Sequence, residues 1–206
     1  EKKDFFERGS MVDEFLNIYY QSKIDGRNDA MDIIMDRVQA LHSKAMEAGI
    51  FGEDTLTSLF RALRISKMYI EDYAETVDKG WTFLEVQREV NSQFVTPSGV
   101  PFILNGFLDL IARDNHGRLW IWDNKTTGGE ARFWTDDQLQ SDTQLPTYVS
   151  ALRQEGIEVF GCVINQLNTY DYKDESKMIQ DRLFRRGEMF HSTKAIEGHV
   201  KELALT

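Results

Sequence analysis

Asp109, Asp123 and Lys125 are the residues whose types and spacing could carry chemistry. They lie in the stretch Asn-Gly-Phe-Leu-Asp-Leu-Ile-Ala-Arg-Asp-Asn-His-Gly-Arg-Leu-Trp-Ile-Trp-Asp-Asn-Lys-Thr-Thr, from Asn105 to Thr127, which reads as two strands joined by a turn at Asp114, Asn115, His116 and Gly117. Alternation sends Asp123 and Lys125 to one face with Leu119 and Ile121, and sends Trp120 and Trp122 to the other. A hairpin centred on His116 sets Asp109 opposite Asp123 on that same face. Opposed residues have Cβ atoms about 5 Å apart, and like charges held there destabilise a sheet. A divalent cation between the two carboxylates offsets that repulsion, with Lys125 beside it to orient a water or to stabilise developing negative charge. Hard carboxylate oxygens suit Mg²⁺ or Mn²⁺, which keep several waters and accept phosphate oxygens. The chemistry is hydrolysis of a phosphodiester.

On the hairpin alone a second reading stands beside this one. Asp109 and Asp123 are then solvated residues on the open face of an antiparallel sheet, and Lys125 is their salt-bridge partner. A register slip of one residue would also part the two acids. The flanking sequence adds what the hairpin lacks. Gly106 stands three residues before Asp109, where it marks either a bulge or a close backbone approach, or only a missing side chain. Gln144 and Tyr148 share one face of a helix, from which an amide and a phenol could reach a site at the sheet edge or could simply be boundary residues. Pro146 between them requires that the helix start close to Asp142 or kink.

Gly106-x-x-Asp109, then Asp123-x-Lys125-Thr126, then Gln144-x-x-x-Tyr148 resembles the PD-(D/E)XK nuclease superfamily. The order and spacing resemble most its RecB-type exonuclease branch, which includes CRISPR-associated and phage recombination exonucleases. The resemblance implies an α/β fold with a restriction-endonuclease-like core, a mixed central sheet flanked by helices and preceded by an N-terminal helical region. It implies metal-dependent cleavage of DNA. Asp109 and Asp123 would be metal ligands, the backbone carbonyl of Asn124 a further ligand, and Lys125 the residue beside the attacking water. Gln144 and Tyr148 match the motif that supports the site and contacts nucleic acid in this branch. The family's upstream glutamate falls on Glu89, with Glu85 as second choice; four residues apart on one expected strand, the two share a face. The branch often carries a histidine on its first helix, a few residues after a glycine, as an extra metal ligand. In Gly9-Ser10-Met11-Val12-Asp13 that place is taken by Asp13, which is otherwise an ordinary solvated helix acid. Leu108 rather than proline precedes Asp109.

Composition bounds these readings. The 206 residues fit one globular domain, 1–206, with a helical part over 1–78 and a mixed-sheet catalytic core over 79–206. No apolar run approaches the roughly 18 residues that span a bilayer, and no signal peptide is visible, so the expected location is cytoplasmic, in a bacterial or phage-infected cell. Cys162 is the single cysteine, which excludes an internal disulfide and a four-cysteine zinc or iron–sulfur site. His42, His116, His191 and His199 have no zinc-ligand spacing. A net charge of −10 opposes binding to a phosphate backbone. Basic residues do cluster, as Arg61, Arg64 and Lys67 and as Arg182, Arg185 and Arg186, either as DNA contacts or as solvated, salt-bridged faces. DNA binding is expected to be weak and salt-sensitive, with a protein partner or self-oligomer supplying the grip.

The elements that must position these residues are helical first and mixed afterwards. Helices are predicted over 10–24, 29–48 and 54–77, separated first by Asp25-Gly26-Arg27-Asn28. Strands follow at 81–95, 101–113 and 118–126, with a turn at 96–99. A helix near 140–155 is ended by Gly156, a strand runs from Glu158 to Asn168, and the final stretch from Ser192 reads as a helix. The loop from Gly128 to Gln138, with Trp134 in it, is either a flap over substrate or a connection. The resemblance thus implies a Mg²⁺- or Mn²⁺-dependent deoxyribonuclease, expected to be an exonuclease of recombination, repair or phage DNA processing. The alternative is a non-catalytic nucleic-acid-binding or assembly module on the same fold.

Overall fold

The helical spacing of the first third is realised in the computed structural model, which describes residues 2–48, 53–95, 98–128, 133–190, 192, 196 and 198. Helix α1 (Lys2–Ile24) is followed by α2 (Ala30–Ala48) and α3 (Glu53–Met68). Val12, Phe15, Leu16, Tyr19 and Tyr20 recur at intervals of one and three, and all five are buried as one stripe of α1. Ile34 and Val38 of α2 and Leu59, Ala62 and Ile65 of α3 are buried by the same periodicity. Helix α3 runs on through a π-helical turn, Tyr69–Ala74, into the single turn α4 (Glu75–Val77). These helices belong to one of two compact units, made of Glu1–Lys79, Asn124–Phe133 and Asn165–Arg185. The last two segments come from the strand region, so this unit is not contiguous in sequence.

The other unit is made of Gly80–Asp123, Trp134–Ile164 and Arg186–Thr206. Five strands, β1 (Thr82–Val95), β2 (Pro101–Arg113), β3 (Leu119–Thr127), β4 (Gly161–Asn168) and β5 (Phe184–Met189), form one sheet in the order β1-β2-β3-β4-β5. Strands β1, β2 and β3 are an antiparallel meander. Phe160 N donates to Leu119 O and Thr169 N to Thr127 O, so partners rise together along β3 and β4 and that pair is parallel. Helix α6 (Gln144–Gln154) lies in the crossover that a parallel pair requires. Asn168 Nδ2 donates to Arg182 O, and Gly161 lies against Met189 O, so β5 runs antiparallel to β4. The fold is α/β with a mixed sheet and flanking helices, as expected.

Alternation along β3 divides the sheet as predicted. Ile121 joins Ile111, Cys162, Ile164, Leu145, Tyr148 and Leu152 in an aliphatic cluster that also covers Leu119. Trp120 and Trp122 instead meet Trp81 edge to face, with ring centroids 5.6 and 5.0 Å apart. Arg186 lies over Trp122, 4.3 Å from its ring. The short helix α5 (Asp136–Gln140), the turn α7 (Gln180–Leu183) and β5 were not anticipated from the sequence. Helix α5 occupies the end of the expected flap, and Trp134 packs against the aliphatic cluster, so that part of the loop is anchored. The expected turn residues Thr96 and Pro97, loop residues 129–132 and most of the chain after Ser192 lie outside the described residues. Among the described residues no helix is long and apolar enough to cross a membrane.

The β2–β3 turn owes its geometry to Asp114. Its carboxylate accepts from His116 N and Arg118 N, both at 2.9 Å, from Arg118 Nε at 2.6 Å and from Trp120 Nε1 at 3.0 Å. Gly117 supplies the left-handed residue the turn needs, with φ 78°. Desolvation opposes ionisation of Asp114, but these donors outweigh it and hold the carboxyl well below the usual range. Because the folded pKa is depressed, the stabilisation is fully present above the unfolded value of about 4 and is lost as pH falls through the lower folded value. Asp114→Asn is therefore expected to be less stable than wild type at pH 7, by a margin that shrinks below about pH 3. Urea midpoints at the two pH values measure this; a margin that does not depend on pH would exclude the ionised carboxylate as its source.

Candidate functional site

The β2–β3 ladder pairs Arg113 with Leu119, Ala112 with Trp120, Ile111 with Ile121 and Leu110 with Trp122. The next residue on each strand is Asp109 and Asp123, one step beyond the last pair of this ladder. Asp123 is 5% exposed, whereas Asp109 and Lys125 are half-buried. Asp123 thus holds its carboxylate at the margin of an apolar core, where a charge is costly without compensation.

Strand β1 adds a neighbour that the sequence did not single out. Val86 pairs with Leu110 and Arg88 with Leu108, which puts Gln87 across from Asp109. Gln87 Nε2 lies 3.5 Å from Asp109 Oδ1. Gln87 also has φ 51°, the one non-glycine residue in the left-handed region among those described. Such a conformation costs of order 1 kcal/mol or more and persists only where surrounding structure enforces it.

The strand alternation slips at this level. Leu108 and Ile111, three residues apart, both belong to the aliphatic cluster. On β1, Arg88 donates to Glu85 at 3.0 Å, although side chains three apart normally point to opposite faces, and to Glu155 at the end of α6 at 2.6 Å. The one register shift of the β1–β2 ladder falls between Phe83 and Glu85, and from there Glu85, Gln87 and Glu89 are exposed while Val86 and Arg88 are half-buried between them. Among the described residues no three His, Cys, Asp or Glu side chains lie close enough together to hold a metal ion.

Gly106, Gln144 and Tyr148 are brought together. A Cβ on Gly106 would lie 2.6 Å from Tyr148 Oη and 2.8 Å from its Cε1, so the glycine is there for a close approach of the phenol to β2. Gln144 Nε2 donates to Tyr148 Oη at 3.3 Å. Helix α6 starts at Gln144, where Asp142 Oδ1 accepts from the backbone N–H groups of Gln144 and Leu145. Pro146 falls in the first turn, where no intrahelical partner for its missing N–H exists, and the helix is not broken.

On the helical unit, Asn124 Oδ1 accepts from Asn165 Nδ2 at 3.1 Å; Asn165 also donates to Tyr69 Oη, which is 2.7 Å from Tyr20 Oη. This buried chain ties the residue between Asp123 and Lys125 to α1 and to the π-helical turn. It was not foreseen, because no pattern rule marks a polar strand residue as buried. Gly9 of α1 lies against Thr126, whose Oγ1 would be 2.8 Å from a Cβ placed there. Asp13 is one helical turn further along the same face of α1.

The surrounding charges are largely spent. Cys162, beside this region, has its thiol pushed up to about 12 by burial and by the carboxylates of Asp142 and Asp123, so it is neutral. In the first basic cluster Arg61 pairs with Asp171 and Lys67 with Glu71. In the second, Arg186 lies on Trp122. Arg61, Lys67 and Arg186 thus have partners within the chain, and Arg64 and Arg185 also interact with neighbouring groups.

A model of the PD-(D/E)XK nuclease superfamily matches residues 1–203. Among solved structures, the crystal structure of SSO0001 aligns at a TM-score of 0.42 with 11% identity, over 82% of this chain and 68% of that one. An exonuclease candidate from Eubacterium rectale aligns at 0.49 with 12% identity, over 97% of this chain and 64% of that one. The chain thus spans about two thirds of the length of either protein. No curated protein sequence matches it.

Proposed function

This chain belongs to the PD-(D/E)XK nuclease superfamily, and from that membership we propose that it hydrolyses DNA phosphodiester bonds with the aid of Mg²⁺ or Mn²⁺, as an exonuclease of recombination, repair or phage DNA processing. The observation that carries the reading is the β2–β3 register, which runs to the pair just before Asp109 and Asp123. The donor chemistry fits a hard divalent ion, because two carboxylates from adjacent strands suffice for an ion that keeps much of its water. The proposed ligands are Asp109, Asp123 and the Asn124 carbonyl. Glu89 and Asp13 are the further ligands that the family resemblance suggests. Mg²⁺ or Mn²⁺ bound there would supply a more acidic water and neutralise charge on the phosphate.

The other roles fall to the chain's own residues. Lys125 places its ammonium on the strand face of Asp123, where it orients the attacking water and stabilises charge developing on the phosphate oxygens. Tyr148, seated on Gly106 and held by Gln144, supports β2 three residues from Asp109 and offers a hydroxyl toward nucleic acid. Gln87 fixes Asp109 from the third strand. With the net charge at −10 and most clustered arginines engaged, binding to DNA falls steeply with salt and draws on a partner or a second copy for grip.

The test is degradation of end-labelled linear DNA by the purified protein with Mg²⁺, Mn²⁺ or EDTA. Metal-dependent cleavage that EDTA abolishes supports the reading, and the labelled products give polarity. Absence of cleavage together with absence of calorimetric divalent binding would replace it with a non-catalytic nucleic-acid-binding module.

A further inference from the structure

Beside Lys125 on the next strand stands a buried amide that no motif accounts for. In a parallel ladder, an N–H donated to the carbonyl of residue i comes from the residue beside i+1. Thr169 N donates to Thr127 O at 2.7 Å, which puts residue 169 beside 128 and, by the same offset, 165 beside 124 and 166 beside 125. Phe160 N to Leu119 O gives an offset one residue smaller at the other end of the pair, so a one-residue shift lies between, and the side-chain bond from Asn165 Nδ2 to Asn124 Oδ1 at 3.1 Å puts 165 on the Thr169 side of it. Gln166 is therefore the lateral neighbour of Lys125, about 4.8 Å away between strand axes.

Alternation fixes its side. Asn165 and Asn124 turn together toward Tyr69, so Gln166 and Lys125 turn together to the opposite face. On β4 that face carries Cys162 and Ile164, both in the aliphatic cluster, before it reaches Gln166. The row changes from apolar to amide at the level of the lysine. Gln166 is 0% exposed, and an apolar residue would fill such a place without the cost of burying an amide.

We infer that Gln166 is a positioning residue for Lys125, its Oε1 accepting a hydrogen bond from the Lys125 ammonium and holding it in one orientation along the sheet face. The inference rests on the proposed role of Lys125 beside the attacking water. A lysine stem has several rotatable bonds, and an ammonium with three donors can give one to Gln166 while the others serve water and phosphate. Fixing it in place before substrate arrives is how such a contact contributes to rate.

The test uses the ¹⁵N-labelled full chain in metal-free buffer and reads the Lys125 ammonium resonance, assigned by its disappearance in Lys125→Ala. Gln166→Met, of similar volume and without the acceptor, is expected to shift that resonance and speed its hydrogen exchange several-fold. Gln166→Glu keeps an acceptor and is expected to retain the slow exchange. In DNA cleavage Gln166→Met lowers kcat by about 10- to 100-fold with KM nearly unchanged, and Gln166→Glu restores part of it. An ammonium resonance indifferent to Gln166→Met overturns the inference; if that variant does not fold, a Lys125 ammonium that in wild type exchanges as fast as the exposed lysines overturns it instead. Because the resonance needs no turnover, a wild-type protein that does not cleave DNA sinks the nuclease reading alone, and the Gln166 contact is still judged on the spectrum.

Discussion

Asp123→Asn is expected to lower metal-dependent DNA cleavage by about a thousandfold or more, a loss of about 4 kcal/mol in transition-state stabilisation, while the protein stays folded. The substitution keeps shape and volume and removes only the charge. At 5% exposure, a lone carboxylate there costs desolvation, and in the proposed site a second carboxylate, Asp109, lies one step beyond the end of the same ladder. Removing the charge therefore relieves repulsion in the metal-free protein, and thermal denaturation should show no loss of stability. Divalent ions should separate the two proteins. A ligand that binds only the folded state raises the melting temperature by mass action, so Mn²⁺ should stabilise wild type and leave Asp123→Asn unmoved. Asp109→Asn should behave alike, with a larger share of its effect carried through Gln87. Wild-type turnover in the double variant would remove the acid pair from the mechanism.

The hairpin that carries the two acids was legible because each step that sets it is local. Asp114 to Gly117 is a strong turn signal and the alternation of Leu119 to Lys125 is unbroken, and the ladder follows that register from Arg113 and Leu119 to Leu110 and Trp122. Strand β1 is less regular: its register shifts between Phe83 and Glu85, and Gln87 takes a left-handed backbone that glutamine seldom adopts, and neither is announced by a turn residue in the sequence. The helix α5 was within reach, since Thr135 and Gln138 form a capping box, but its five residues are too few to show a period. Strand β5, Phe-Arg-Arg-Gly-Glu-Met, has arginine and glycine where a strand pattern expects apolar residues. Asn165 and Gln166 are the clearest case of what pattern cannot supply. A polar residue at the end of a strand reads as solvated, and only the neighbours that cover it make it buried.

Gly106→Ala is expected to cost about 1–3 kcal/mol of stability and to lower cleavage at least about tenfold, though the added group is one methyl. The added Cβ would stand 2.6 Å from Tyr148 Oη and 2.8 Å from Cε1, well inside van der Waals contact, so either the ring or the strand must give. If the ring gives, the bond from Gln144 to Tyr148 is lost and the α6 motif leaves the site. If the strand gives, Asp109, three residues on, moves out of line with Asp123. Either route couples a backbone glycine to the chemistry. In a chain of this size each kcal/mol is worth about 2–4 °C, so the melting temperature should fall by several degrees. A double-mutant cycle separates the cause from general strain. Tyr148→Ala removes both clashing atoms, so the alanine at 106 should cost little in that background, with a coupling of about 1 kcal/mol or more. Tyr148→Phe leaves Cε1 in place and should not relieve it. Additive losses in the Tyr148→Ala cycle would show that Gly106 is needed for something other than the seat of this ring.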